Sequence, residues 1–208
     1  MRSNGRIQLL LASASPARLA TLRAAGVDPR VCVSGVDESG IDAGSPAETA
    51  RELARLKCAT VLRSTTNPLD SSDRVFVLGG DSVLEMGGAT MGKPTSPDDA
   101  RARWRRMRGR SGVLHSGLAV GEVGGAEPLA RLSSTIVHFA EVDDDEIDAY
   151  VATGEPSNVA GAFTIDGLGG PFVTGVEGDH HTVVGLPLPL LRETLAEFGL
   201  RWSDLWRQ

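Results

Sequence analysis

The sequence predicts an α/β fold in which helices pack against long central strands. Apolar, strand-like segments alternate with helix-like segments, helix starts of the Ser-Pro-acid type recur, and glycine-rich turns separate the segments. The chain has 208 residues, of which 41% are hydrophobic and 23% are charged, an ordinary composition for a globular protein. This length predicts a single domain over residues 1–208, in which two small lobes could share one core.

Strands are predicted where short apolar runs lie between turn-forming residues. The predicted strands are residues 7–12, 31–34, 74–80, 113–123, 130–141 and 172–176. A polar linker, residues 64–73, precedes the third of them. The two longest strands are joined by Gly124-Gly125, and we expect them to lie at the centre of the fold.

Helices are predicted from their start and stop signals. Ser45-Pro46-Ala47-Glu48 puts serine at the N-cap, proline at N1 and glutamate at N3, and Ser96-Pro97-Asp98-Asp99 repeats this pattern. Acidic residues after Asp143 favour another helix, because the N-terminal end of a helix dipole is positive. The predicted helices are residues 15–25, 45–63, 96–107, 143–152 and 188–198.

Charge, hydropathy and cysteine content exclude several classes of protein. The net charge of −6 argues against a general nucleic-acid binder. No run of about 18 or more apolar residues is present, and the first apolar run is too short for a secretory leader. Cys32 and Cys58 form neither a disulfide framework nor a zinc motif, which fits a reduced setting. We therefore expect a cytoplasmic protein that binds neither nucleic acid nor a membrane.

One basic run stands out against the acidic average. Its six arginines fit a solvated helix face, or a surface that attracts a polyanion such as a triphosphate. They are Arg101, Arg103, Arg105, Arg106, Arg108 and Arg110.

The segment Ser13-Ala14-Ser15-Pro16-Ala17-Arg18 follows a predicted strand and begins a helix. Free N–H groups and the positive dipole end make such a helix start favourable for an anion. The hydroxyls of Ser13 and Ser15 and the guanidinium of Arg18 can add donors for phosphate oxygens. The bare pattern fits equally well with a plain N-cap beside an exposed arginine.

Lys57 lies on the apolar side of its predicted helix, four residues after Leu53 and four before Val61. The plain interpretation is a side chain that snorkels at the edge of the apolar face. The alternative is a lysine that reaches over the sheet to a phosphate.

Acidic and cationic residues follow two of the predicted strands. Asp81 comes at the carboxyl end of strand 74–80, where α/β folds place ligands, and could hold Mg²⁺ or act as a base toward water. A simple turn aspartate fits as well. Asp37-Glu38 offers further carboxylates for a metal, and Lys93 could neutralise phosphate, although a lone loop lysine is more often merely exposed.

The histidines carry weaker signals. His180 and His181 would point to opposite sides of an extended segment and make a poor chelate. We expect this pair and His115 to be structural or surface residues.

These motifs together resemble the Maf, or septum-formation-inhibitor-like, nucleotide pyrophosphatases nearly end to end. Each motif is weak alone, whereas the set is specific. The motifs are Leu11-Ala12-Ser13-Ala14-Ser15-Pro16, Val36-Asp37-Glu38, Lys57, Gly80-Asp81-Ser82, Gly92-Lys93-Pro94, Gly154-Glu155-Pro156, Ala160-Gly161-Ala162-Phe163, Gly167-Leu168-Gly169-Gly170 and Val184-Gly185-Leu186-Pro187-Leu188. The resemblance implies an elongated α/β fold, related to the inosine-triphosphate pyrophosphatases, with a central mixed sheet and flanking helices around a deep cleft.

The resemblance also implies an activity and residue roles. It implies a metal-dependent housecleaning enzyme that hydrolyses nucleoside triphosphates between the α and β phosphates. Asp81 falls at the family's proposed proton acceptor. The residues at its phosphate- and metal-handling positions are Ser13, Arg18, Glu38, Lys57 and Lys93.

Three departures from the family pattern concern substrate choice. Pyrimidine-type members have arginine at Ala17, threonine at Ser82 and glutamine at Asp166. Relatives that act on methylated GTP also lack that arginine and have an acid near the last position. Because a carboxylate can accept from guanine N1–H and N2–H, a guanine-type substrate is our hypothesis.

The mechanism we expect uses a divalent cation, Mg²⁺, Mn²⁺ or Co²⁺, held by Asp81 and Glu38. Asp81 would orient or deprotonate the water that attacks the α-phosphorus, while Arg18, Lys57 and Lys93 neutralise charge on the phosphates. The alternatives are a nucleotide-binding regulator of cell division without turnover, and a nucleotidyltransferase. A homodimer is left open by the sequence.

Overall fold

The computed structural model describes residues 6–38, 40–65 and 73–206. Within these residues, seven strands form one mixed sheet in the order β2-β1-β3-β5-β6-β7, with β4 paired to β3. The strands are β1 (Ile7–Leu11), β2 (Arg30–Val31), β3 (Arg74–Met86), β4 (Ala89–Met91), β5 (Ser111–Glu122), β6 (Leu129–Phe139) and β7 (Val173–Glu177). The predicted linker, residues 64–73, lies mostly outside the described residues.

Helices flank this sheet, which confirms the predicted α/β class. They are α1 (Pro16–Ala24), α2 (Pro46–Ser64), α3 (Pro97–Met107), α4 (Asp144–Ala152), α5 (His180–Val184) and α6 (Leu188–Glu197). Short 3-10 turns cover Glu155–Asn158, Ala160–Ala162, Gly170–Phe172 and Trp202–Leu205. No helix in the described part of the chain is long and apolar enough to span a bilayer.

Four of the five predicted helix starts are confirmed by side-chain caps. The hydroxyl oxygens of Ser15, Ser45 and Ser96 each accept a hydrogen bond from the backbone N–H three residues later. Asp143 and Glu146 form a reciprocal capping box at α4. Side-chain acceptors of this kind satisfy N–H groups that a helix leaves unpaired, so local sequence is enough to fix where these helices begin.

Strand β3 departs from the prediction, because it continues past Gly80 to Met86. Asp81 therefore lies inside a strand, opposite Gly117 of β5, and not at the carboxyl end of the strand. Pairing with β5 carries the strand beyond its predicted end at Gly80. The parallel pairing of β3 with β1, however, ends at Leu78, three residues before this aspartate.

Two other segments also differ from their predictions. The second strand covers only Arg30–Val31 instead of residues 31–34. His180 and His181 belong to helix α5 and not to an extended segment. The Asp179 carboxylate caps this helix by accepting from two of its backbone N–H groups, which favours a helical turn there.

The core has one part on one face of the sheet and two parts on the other. Helix α2 packs against Val75, Val77 and Ala119. The opposite face carries two clusters, one around Leu22, Leu78, Leu118, Leu191 and Leu195, and one around Leu84, Trp104, Leu114, Phe139 and Tyr150. Side chains alternate between the faces of a strand, so β3 and β5 contribute to all three clusters.

Trp104 fixes the long segment between α4 and β7 against α3. Its ring packs edge-to-face against Phe139, Tyr150 and Phe172, with centroid separations of 5.5 to 5.8 Å. Its indole N–H donates to the carbonyl oxygen of Ala162 at 2.8 Å. The segment that contains Asp166 is therefore tied at both ends to a fully buried side chain.

Candidate active site

On one face of β3, Lys57 joins two carboxylates. Its Nζ lies 2.7 Å from Oδ1 of Asp81 and 2.7 Å from Oε1 of Glu38. Lys57 is 8% exposed, so it is buried and paired, and does not snorkel at the edge of its helix. Helix α2 approaches this closely because Gly79 has no side chain, and a Cβ there would lie 2.3 Å from the carbonyl oxygen of Ala54.

On the opposite face of β3, the buried guanidinium of Arg18 is held at three points. Nε donates to the carbonyl oxygen of Gly185 at 2.8 Å, Nη1 to Ser13 Oγ at 2.9 Å and Nη2 to Ser82 Oγ at 3.0 Å. Gly80 leaves the space for it, since a Cβ there would lie 3.0 Å from Nε. Arg18 is thus fixed in one orientation.

Arg18 is also coupled electrostatically to the acidic group. Burial lowers the pKa of its guanidinium, and the charges of Asp81 and Glu38 oppose that effect. The group remains a cation at neutral pH, because an arginine side chain does not lose its proton in proteins. Two cations, Arg18 and Lys57, therefore lie beside two carboxylates.

An unpaired edge of β3 separates these two groups. Pairing with β1 ends at the Leu11–Leu78 pair, and pairing with β4 begins at the Leu84–Met91 pair. Among the residues the structure describes, 79–83 therefore have a strand neighbour only on the β5 side. A ligand at this gap can reach side chains that belong to both faces of the sheet.

The start of helix α1 borders the gap and carries two serines. Ser13 Oγ accepts from the backbone N–H of Ser15, besides accepting from Arg18, and Ser15 Oγ accepts from the Arg18 backbone N–H at 3.4 Å. Within the described chain, neither hydroxyl proton is used in a hydrogen bond. Both protons are therefore available to an acceptor placed at the helix start.

The remaining predicted site residues do not join these hydrogen-bonded groups. Ala17 is half-buried in the first turn of α1. Lys93 and Asp166 are exposed and make no ion pair with the chain over residues 6–38, 40–65 and 73–206. The backbone before Lys93 is fixed, because the carbonyl oxygen of Gly92 accepts from Arg103 at 2.6 Å.

The loop that carries Asp166 is organised by Glu155, a residue for which the sequence predicts no role. The Glu155 carboxylate accepts from the Tyr150 hydroxyl at 2.9 Å, from the backbone N–H groups of Leu168 and Gly169 at 3.1 Å, and from the Thr164 hydroxyl. Burial raises the pKa of Glu155, but the hydrogen bonds outweigh burial and lower it. The motif Gly154-Glu155-Pro156 marks this residue in the sequence, but only the fold brings its donors together and so shows what it does.

His115 has hydrogen-bond partners within the protein on both ring nitrogens. The buried His115 lies 2.9 Å from Glu85 Oε2 through Nε2 and 2.8 Å from Ser134 Oγ through Nδ1, as expected of a structural histidine. Over the described ranges, no three His, Cys, Asp or Glu side chains converge as a metal site.

Four of the six arginines in the basic run form ion pairs with acids. The pairs are Arg101 with Asp98 and Asp148, Arg103 with Asp99, and Arg105 and Arg108 with Asp144.

The fold and site together define an α/β protein with a buried, charge-paired polar site at a gap in its sheet. The family model described as Maf-like protein matches residues 8–198. The chain therefore belongs to the Maf-like family, which confirms the resemblance found in the motifs.

Relatives in this family have the name nucleoside triphosphate pyrophosphatase. The protein of that name from Salinispora tropica is 57% identical over 200 residues, covering 96% of this chain and 88% of the relative. The one from Streptomyces coelicolor is 47% identical and covers 99% of this chain and 98% of the relative. Among solved structures, the Staphylococcus aureus Ham1 protein aligns over 92% of this chain and 99% of its own, with a TM-score of 0.49 and 14% identity.

Proposed function

We propose that this protein hydrolyses nucleoside triphosphates to the monophosphate and pyrophosphate. The observation that carries the proposal is the gap in β3, where Lys57 and Asp81 on one face and Arg18 on the other can reach one ligand. The relatives from Salinispora tropica and Streptomyces coelicolor, both named nucleoside triphosphate pyrophosphatase, support it.

The triphosphate binds at the start of helix α1. The free hydroxyl protons of Ser13 and Ser15, the helix N-terminus and the remaining N–H groups of Arg18 all donate to phosphate oxygens. Lys93 adds a mobile positive charge from its exposed loop, because a lysine side chain binds phosphate as a flexible point charge.

A divalent cation is the cofactor we propose for this site, and the charge balance of the site supports it. Arg18 and Lys57 only balance Asp81 and Glu38, so they leave little positive charge for a polyanion. The Lys57 ammonium lies 2.7 Å from an oxygen of each carboxylate, so the two carboxylates are close enough together to hold one cation. They would hold Mg²⁺, Mn²⁺ or Co²⁺. One or two carboxylates with phosphate oxygens and water are the usual ligand set for Mg²⁺. When bound, the metal neutralises charge on the phosphate oxygens.

Asp81 acts as the base for the attacking water. Its Oδ1 accepts from Lys57, which fixes the carboxylate, and Oδ2, which accepts no hydrogen bond from the described residues, takes the proton of the water. The water oxygen bonds to the α-phosphorus, the bond from this phosphorus to the bridging oxygen breaks, and pyrophosphate leaves. Lys57 and Arg18 stabilise the charge that grows on the phosphate oxygens.

Base selection involves Ala17, Ser82 and Asp166. The exposed Asp166 carboxylate can accept from guanine N1–H and N2–H, so we propose a guanine-type or modified nucleotide as the preferred substrate.

The setting we propose is cytoplasmic, with a housecleaning role toward nucleotides, no nucleic-acid or membrane partner, and a homodimer as the assembly to test.

The experiment is a pyrophosphate-release screen over ordinary and modified nucleoside triphosphates with Mg²⁺, Mn²⁺ or Co²⁺. We expect release with at least one nucleotide and its loss when EDTA removes the metal. Nucleotide binding without release would instead favour the regulator without turnover. A nucleotide-transfer product formed when a sugar phosphate is supplied would favour a nucleotidyltransferase.

A further inference from the structure

Ser116 has a fully buried hydroxyl beside the site, and this hydroxyl has no part in the proposed hydrolysis. It lies on β5 directly opposite Ser82 of β3, on the sheet face that carries Arg18. Its Oγ is 2.7 Å from Ser82 Oγ and 3.0 Å from the carbonyl oxygen of Thr182. Ser116 therefore lies between the arginine group of the site and helix α5.

The directions of these hydrogen bonds follow from what each group can donate. A carbonyl oxygen only accepts, so the single proton of Ser116 goes to Thr182. Ser82 must then donate its proton to Ser116, and Arg18 donates to Ser82. The result is a one-way chain from the guanidinium through two hydroxyls to a carbonyl oxygen.

We propose that Ser116 is a positioning residue for triphosphate binding, which orients the Ser82 hydroxyl and through it the guanidinium of Arg18. The inference rests on the proposed function, because it takes Arg18 as a ligand of the phosphates. Since the Ser82 proton points inward, this residue offers a substrate only a lone pair. A substrate group against Ser82 must therefore bring its own N–H or O–H.

Loss of the Ser116 hydroxyl removes the acceptor that fixes the Ser82 proton. In Ser116→Ala, we expect kcat/KM for the best triphosphate to fall roughly tenfold, the equivalent of one hydrogen bond. The loss falls mainly on KM, because Ser116 touches neither Asp81 nor the attacking water. A general folding defect would instead lower kcat through the active fraction and leave KM unchanged.

Ser133→Ala is the matched control. Ser133 is the partner of Ser116 on β6 and bonds to Thr182 through the threonine hydroxyl, outside the chain to Arg18. We expect it to change kcat/KM by less than about twofold. An equal loss of kcat/KM in the two variants would overturn the proposal.

A double-mutant cycle tests whether Ser116 acts through Ser82. Ser82→Ala with Ser116→Ala should be no worse than Ser82→Ala alone, because the first substitution already breaks the chain. Losses that multiply would show that Ser116 acts independently, and would contradict the inference.

Binding of inorganic tripolyphosphate in the presence of Mg²⁺, measured by calorimetry, separates this inference from the proposed function. We expect Ser116→Ala to bind it roughly tenfold more weakly than the wild type. If the wild type releases no pyrophosphate but shows this difference in affinity, the hydrolase proposal fails and the positioning role stands. If both proteins bind tripolyphosphate equally, or neither binds, the positioning role is refuted.

Discussion

At the scale of single residues, anion binding depends on the N–H groups that are not already hydrogen-bonded within the protein. Within the described residues, Arg18 uses three of its five N–H groups on Gly185, Ser13 and Ser82, which leaves one on each terminal nitrogen. Lys57 uses two of its three N–H donors to bind the carboxylates of Asp81 and Glu38. Both side chains are therefore oriented by the protein and still able to bind an anion.

Asp81→Asn tests the proposed base. An amide oxygen can still accept from Lys57, so we expect the melting temperature to stay within about 4 °C of the wild type. Because an amide cannot take a proton from water, pyrophosphate release should fall by roughly 10² to 10⁴. The control is Asp148→Asn, on the surface of α4, where the acid pairs with Arg101. Wild-type turnover by Asp81→Asn would remove this residue as the base.

Glu155→Gln tests the loop that carries Asp166. The pKa of Glu155 is lowered from its ordinary 4.5, so the ionised carboxylate stabilises the fold above that pH and loses this effect as pH falls through the folded pKa. We expect the variant to be about 1–3 kcal/mol less stable near pH 7, because four donors lose their charged acceptor.

The measurement is urea unfolding of both proteins at about pH 7 and about pH 3.5. The stability difference between them should shrink as the pH falls below 4.5 and through the folded pKa of Glu155, because protonation removes the charge of the wild-type carboxylate. Glu127→Gln, at an exposed hairpin position, is the control. A difference that stays the same at both pH values would argue against an ionised Glu155 as the organiser of the loop.

At the scale of elements, glycines determine how closely helix α2 lies on the sheet. A Cβ on Gly79 would lie 2.3 Å from the carbonyl oxygen of Ala54, and one on Gly117 would lie 2.2 Å from that of Ala50. These distances are far below van der Waals contact, so a side chain at either position would push the helix away. The helix carries Lys57, and its approach therefore brings the lysine to Asp81.

Gly79→Ala should move α2 away from β3 and separate Lys57 from Asp81. We expect a loss of about 1–3 kcal/mol of stability from overpacking. Pyrophosphate release should fall roughly tenfold to a hundredfold, because small displacements of catalytic groups are costly. Gly175→Ala on β7 is the matched control, since its Cβ would lie 3.7 Å from His138. Equal activity of the two variants would show that the close approach of α2 does not position the site.

At the scale of the whole molecule, two strands connect all parts of the core. Strand β3 contributes Val75 to the cluster under α2, Leu78 to the cluster with α1 and α6, and Leu84 to the cluster around Trp104. Strand β5 does the same through Leu114, Leu118 and Ala119. No cluster can separate from the others without disrupting a strand that they share.

Unfolding should therefore be a single cooperative transition. The measurement is urea unfolding followed by far-UV circular dichroism and by Trp104 fluorescence, in a chain with Trp202→Phe and Trp206→Phe. Trp104 reports on one cluster and circular dichroism on the whole chain, so the two curves should coincide. Two separate transitions would show lobes that unfold independently, against the single domain predicted for residues 1–208.

The sequence by itself predicted most helix starts and the approximate positions of most strands, and it singled out Arg18, Lys57 and Asp81, which the fold brings to β3. Helix starts at Ser15, Ser45 and Ser96 were predictable because a cap is encoded within three or four residues. The tertiary structure decided which of the site residues are in contact with one another. Lys57 contacts Asp81, which is 24 positions away in the sequence, and Arg18 contacts Gly185, which is 167 positions away. Strand register and helix approach set such contacts, and these depend on the packing of the whole core.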